Sequence, residues 1–181
     1  MTTALVPLAE GFEEIEAITI IDVLRRAQVQ VTTAGLTGKV VTGSHQIPVT
    51  ADCLLADVLN QKFDLVVLPG GPGTKNLRED DRLLQLIKDH YTNQALIGAI
   101  CAAPTVLSAI GILADKQATV YPSCVTDLQA REYIDTDVVV DGKVVTGRAP
   151  AAAMPFALKL VELLQGADIA QQLAKALVVS A

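Results

Sequence analysis

Tryptophan is absent and only three Phe and three Tyr occur, so aromatics make up 3% of the chain while hydrophobic residues make up 51%. The core must therefore be built from Ala, Val, Ile and Leu, the usual lining of a buried parallel sheet. No Lys/Arg cluster exists either. Fourteen basic and twenty acidic residues give a net charge of −6, which offers no phosphate-binding stripe and argues against a nucleic-acid partner. The three cysteines, Cys53, Cys101 and Cys124, are odd in number, widely spaced and without a C-x-x-C pair. That excludes a disulfide framework or a zinc site of the usual spacing and fits a reducing cytoplasm. The opening MTTALVPLAEGFEE has no basic segment, and acids interrupt it early, so no export signal is expected. The uncharged stretch from Ala95 to Ala114 is broken by Gly98, Pro104, Thr105, Ser108 and Gly111 and lacks flanking positive charges. It reads as a buried strand, turn and helix, not as a membrane span.

What is present is regular. A length of 181 residues fits one domain over residues 1–181. Apolar runs at Ala4–Ala9, Val29–Gly35, Phe63–Gly70 and Ala95–Ile100 predict parallel strands, each bounded by turn residues. Between them, Ile15, Ile18, Ile21 and Leu24 recur at helical spacing in Glu13–Ala27, and Leu83, Leu84, Ile87 and Tyr91 do so in Asp81–Tyr91. The latter helix places His90 on a solvated face. Val40–Val41 with Ile47–Val49 predicts a small added hairpin, QATVYP a further strand, and DTDVVVDGKVVTG a hairpin turning at Asp141-Gly142. A long helix begins near Pro150, with Phe156, Leu160, Leu163 and Leu164 on its apolar face. Alternating strands and helices with right-handed crossovers give an α/β fold, a doubly wound, mostly parallel sheet with helices on both faces. Ligands in such sheets bind at the carboxyl ends of the strands, where the turns AEGFEE, PGGPGT and CAAP converge.

The glycine-rich turn fails the phosphate-loop pattern, because Gly73 is followed by Thr74-Lys75-Asn76 and not by Lys-Ser/Thr. A tight strand-to-helix turn is the better reading. Cys101 follows an apolar strand and precedes Ala102, Ala103 and Pro104, small residues that permit a sharp elbow. An elbow presents a thiol at a helix N-terminus, whose free N–H groups favour the thiolate. The bland alternative is core filling, since free Cys is among the most buried residue types. Cys53 and Cys124 have no such setting and read as structural. Glu13 and Glu16 lie three apart after the first strand, either as ordinary first-turn acids or, for Glu16, as a desolvated neutral acid able to donate to a thiolate.

The stretches LAEGFEEIEA, VLRRAQVQVTTAGL, FDLVVLPGGPG, GAICAAPTVL, VVTGRAP and LVELLQG span nearly the whole chain. Together they make it resemble the ThiJ/PfpI superfamily, in the branch of the Parkinson-disease protein deglycase and the bacterial YajL-like proteins. The resemblance implies a flavodoxin-like sandwich, a homodimer and a reactive elbow thiol. Carried over by position, Cys101 matches the nucleophile and Glu16 the buried acid that bonds it, while the backbone N–H groups of Gly71 and Ala102 match the oxyanion donors. Glu13, His45, Arg26 and Arg148 are candidates for the surrounding shell. Three departures stand out. The histidine expected near the thiol falls near Ala130, where LQAREY has none, and the basic residue after the second strand is His45, expected to reach a partner's site. The glycine expected after Arg148 is Ala149.

This resemblance implies cysteine-dependent conversion of 2-oxoaldehydes such as methylglyoxal and glyoxal, or of their early protein adducts, to 2-hydroxy acids. That is glyoxalase III or protein deglycase chemistry, linked to oxidative and carbonyl stress, and it needs no metal or organic cofactor. The competing reading is a redox sensor or holdase chaperone acting through oxidation of Cys101. Peptidase or amidotransferase chemistry needs a positioned histidine base, which neither His45 nor His90 supplies in sequence. The expected partners are a small 2-oxoaldehyde or a glycated protein, and a second copy of the chain.

Overall fold

The structure, a computed structural model, describes residues 1–179; residues 180 and 181, which the single-domain expectation includes, lie outside the described residues. In chain order the elements are β1 (Thr3–Leu8), α1 (Glu14–Arg26), β2 (Gln30–Gly35), β3 (Val40–Thr42), β4 (Pro48–Thr50), β5 (Cys53–Leu54), β6 (Leu65–Leu68), α2 (Thr74–Glu79), α3 (Asp81–Thr92) and β7 (Leu96–Ile100). There follow α4 (Pro104–Ala109), β8 (Gln117–Ala118), β9 (Glu132–Tyr133), β10 (Val138–Asp141), β11 (Val144–Gly147), α5 (Ala153–Gln165) and α6 (Ala167–Ala176). Seven strands form one sheet in the order β10-β11-β7-β6-β1-β2-β5, in which only the β10–β11 pair is antiparallel.

Each face of the sheet has its own core. Ala4, Val6 and Leu8 of β1 and Leu65 and Val67 of β6 point to the face covered by α1, α5 and α6. Leu5, Val66 and Leu68 point to the face covered by α2, α3 and α4. Strands buried on both sides read as continuous apolar runs, which is why β1, β2, β6 and β7 were predictable. Phe156 of α5 reaches the sheet because glycines floor it: a Cβ at Gly98 would stand 3.3 Å from its ring and one at Gly147 3.0 Å.

Several expectations need correction. In α1 the buried stripe is Ala17, Ile20, Ile21 and Leu24, and Ile15 and Ile18 are 59% and 43% exposed, because the stripe follows i, i+3, i+4, i+7 and not a strict three-residue repeat. In α5 Leu163 is exposed, and Ala153, Ala157 and Val161 take the buried places beside Phe156 and Leu160. His90 is buried in α3, not solvated. Its Nδ1 bonds the Leu86 carbonyl at 2.8 Å and its Nε2 accepts the Phe63 N–H at 3.1 Å, so both ring nitrogens are satisfied by backbone. QATVYP gives only the two-residue β8, which pairs with β9 outside the main sheet, because Pro122 turns the chain into a 3-10 segment. The hairpins β3–β4 and β10–β11 form where expected.

Candidate active site

Three turns meet at the carboxyl edge of the sheet, after β1, β6 and β7. The first two are stapled backbone to backbone: Glu13 N–H donates to the Gly70 carbonyl at 2.9 Å and Gly73 N–H to the Gly11 carbonyl at 2.8 Å. Gly71 has φ +91°, and a Cβ there would stand 2.6 Å from the Glu13 nitrogen. The glycines thus serve close approach of two loops, as a tight turn would use them, and not the cradling of a phosphate.

The third turn is the elbow. Cys101 has φ +63°, a left-handed conformation that costs a non-glycine residue about 1–3 kcal/mol. The surrounding chain enforces it. The Cys101 N–H donates to the Gly147 carbonyl at 2.9 Å, its own carbonyl accepts the Tyr121 N–H at 2.8 Å, and Pro104 then opens α4. Gly70 leaves space for the thiol, since a Cβ there would lie 2.7 Å from the Cys101 Cβ and 2.8 Å from Glu16 Oε2.

Glu16, on the first turn of α1, is completely buried. Its Oε2 accepts the Gly70 N–H at 2.7 Å, while Oε1 has no hydrogen-bond partner among the described residues. Burial raises the Glu16 carboxyl to about 7, and its bonds to the Gly70 N–H and the Cys101 thiol only partly oppose this. Burial also pushes the Cys101 thiol well above its ordinary range, and the Glu16 carboxylate adds to the rise. Against this, the N–H groups of Gly71 and Ala102 bond the sulfur and favour its anion. Two neighbouring buried acids cannot both ionise easily, so they share a proton. With Glu16 near neutrality, moving the thiol proton to its carboxylate would expose a thiolate to two N–H donors.

On the adjoining rim, His45 Nδ1 lies 2.9 Å from Glu14 Oε2 and 3.7 Å from Glu13 Oε2. The His45 N–H donates to Glu14 Oε1 at 2.6 Å, and Ser44 Oγ donates to Glu14 at 3.1 Å and Glu13 at 3.4 Å. Burial alone would raise the Glu14 carboxyl, but these bonds outweigh it and bring it to about 2; its bond to Glu14 raises His45. Oxygen and nitrogen donors of Glu13, Glu14 and His45 lie within 4.8 Å of one another.

The structure brings together Cys101, Glu16, Gly71 and Ala102, with Glu13 and His45 on the rim. His45 engages its own chain's Glu14, where sequence pointed it to a partner's thiol. Arg26 and Arg148 are not brought to the thiol. Arg26 pairs with Asp22 at 2.7 Å, ten residues and about 15 Å along α1 from Glu16. Arg148 follows Gly147 in the backbone, but its guanidinium pairs with Asp135 at 2.8 Å. The residue set against the elbow from beyond α4 is Tyr121, not Ala130, which packs against the opposite core. Sequence reasoning missed Glu14 and Ser44; the signal available was the GSH turn, the one loop histidine after a doubled acid.

Residues 2–163 match the model of the DJ-1/PfpI family. The protein dj-1beta of Drosophila melanogaster is 44% identical over 98% of this chain and 97% of its own length. The glutathione-independent glyoxalase DJR-1.2 of Caenorhabditis elegans is 40% identical over 93% and 91%. Among solved structures, oxidized DJ-1 of Toxoplasma gondii superposes with a TM-score of 0.97, with 37% identity and complete coverage of both chains.

Proposed function

The chain belongs to the DJ-1/PfpI family, and from that premise we propose that it converts 2-oxoaldehydes such as methylglyoxal and glyoxal, or their early protein adducts, to 2-hydroxy acids. The observation that carries this reading is the pairing of an elbow thiol with a wholly buried carboxyl raised to about 7. A group titrating near neutrality serves as both base and acid. Glu16 accepts the Cys101 proton as sulfur adds to the aldehyde carbon, and the new alkoxide takes that proton to give a hemithioacetal. Glu16 then removes the hydrogen of the former aldehyde carbon and returns it to the neighbouring carbon, while the hydroxyl proton passes to the former ketone oxygen, leaving a thioester of the 2-hydroxy acid. Water hydrolyses the thioester and restores the thiol. The sum is one oxoaldehyde plus one water to one hydroxy acid, in keeping with a family that includes a glutathione-independent glyoxalase. The N–H groups of Gly71 and Ala102 hold the sulfur as it becomes anionic.

The test is incubation with methylglyoxal in the absence of glutathione. Lactate should appear with the wild type and vanish in Cys101→Ala; lactate from both, or from neither, would refute the assignment.

A second reading is favoured by Glu16 Oε1, which is buried without a partner. A protonated Glu16 can donate to an oxygen on sulfur, so two equivalents of peroxide would carry Cys101 to a sulfinate held by Glu16. The relative from Toxoplasma gondii is described in an oxidized form. Intact-mass analysis after peroxide titration, with and without Cys101, separates sensing or holdase action from turnover.

We also assign a homodimeric state, since Ile15 and Ile18 on α1 and Ile47 beside β4 are exposed. Three free cysteines support a reducing, cytoplasmic setting. No helix among the described residues is long and apolar enough to cross a membrane.

A further inference from the structure

We propose that Glu13, Glu14 and His45 bind one divalent transition-metal ion at the rim of the site. Acids at a helix start usually serve the cap and the dipole, and Glu13 does so with one oxygen: Oε1 accepts the Ile15 N–H at 3.3 Å. Its other oxygen turns away from the helix to Ser44 and His45. Glu14 meets the helix only through its own N–H. Its carboxylate is held against the hairpin loop by the His45 N–H and the Ser44 hydroxyl.

Both carboxylates are buried, and among the described residues neither pairs with a Lys or Arg. Among the described residues, the group able to carry positive charge that pairs with them is the His45 ring, 70% exposed. Two negative charges therefore share at most one positive partner, in a place partly withdrawn from water. A dication between the three side chains would balance them.

The distances suit such an ion. Zinc bonds to imidazole nitrogen and carboxylate oxygen at about 2.0–2.2 Å, so two of its tetrahedral ligands stand about 3.4 Å apart. The separations from His45 Nδ1 to Glu14 Oε2 and Glu13 Oε2, 2.9 and 3.7 Å, bracket that value. The Ser44 hydroxyl and the His45 N–H would remain as donors orienting the carboxylates, the usual outer support of a metal site. An imidazole ligand selects Zn²⁺, Co²⁺ or Ni²⁺ over Mg²⁺ and Ca²⁺.

The test titrates the metal-free full chain with Zn²⁺ against a chromophoric chelator. One equivalent per chain should bind, at least about tenfold more weakly in His45→Ala and Glu14→Gln and unchanged in Cys101→Ala. His45→Ala keeps the backbone N–H that bonds Glu14, and circular dichroism checks that its fold is retained. Co²⁺ loading should give a spectrum without a sulfur-to-metal charge-transfer band. Failure to bind, full affinity in His45→Ala, a cysteine band with Co²⁺, or displacement of Zn²⁺ by millimolar Mg²⁺ or Ca²⁺ would each overturn the proposal, whatever the fate of the aldehyde activity.

Discussion

Glu16 is buried beside a thiol and, among the described residues, pairs with no cation, and both its chemistry and its energetic cost follow from that. Its carboxyl stands at about 7 in the folded chain against an ordinary 4.5. Below pH 4.5 it is protonated in both states and costs nothing; above 7 it is ionised in both, and the folded state bears the whole penalty, about 3 kcal/mol. Glu16→Gln should therefore raise the melting temperature at pH 8 and leave it nearly unchanged at pH 4, read by calorimetry at the two pH values. The same variant should lose at least a hundredfold in lactate formation, together with the rise in wild-type rate expected as pH passes 7. Cys101 was legible as an elbow because an apolar run meets Ala-Ala-Pro. Burial of Glu16 was not, because the acids of EGFEEIE satisfy a helix start equally well from solvent, and only family resemblance singled it out. His90 misled for the converse reason: a polar residue late in an amphipathic helix reads as solvated, and nothing in sequence announces that a distant backbone N–H at Phe63 will fill its ring nitrogen.

Among the elements, β7 and α5 are joined through missing side chains. A Cβ at Gly98 would approach Val67 Cγ2 to 2.9 Å as well as crowding Phe156. Gly98→Ala should destabilise the fold by about 1–3 kcal/mol in urea, by overpacking. The hairpin β3–β4 depends on a different device, the bonds from Ser44 and His45 to Glu14. Glu14→Ala should speed amide hydrogen exchange across residues 40–50 while the central strands keep their protection. Strands buried on both sides announce themselves as apolar runs, and the hairpins as paired runs around turn residues. The two-residue strands β5 and β9 do not, and QATVYP announces more strand than the two residues of β8, because their pairing is decided by distant chain. The terminal α6 escaped notice for want of a broad apolar stripe: Ala170 is its one fully buried residue.

For the molecule as a whole, the exposed isoleucines of α1 make the state of assembly measurable. Ile15→Asp with Ile18→Lys should convert a dimer to a monomer in sedimentation velocity; a wild type that sediments as a monomer at micromolar concentration would refute the assignment of a second copy. Fold class and sheet direction could be read from alternation alone, whereas the convergence of the three turns depends on strand order, which no local pattern encodes. That order has a kinetic corollary. The left-handed backbone of Cys101 is clasped by β11, through Gly147, and by the segment at Tyr121, and these lie 46 and 20 residues further along the chain. The elbow therefore closes late in refolding, and the disappearance of a fast-alkylating thiol at Cys101 is a clock for the final docking of the carboxyl-terminal half.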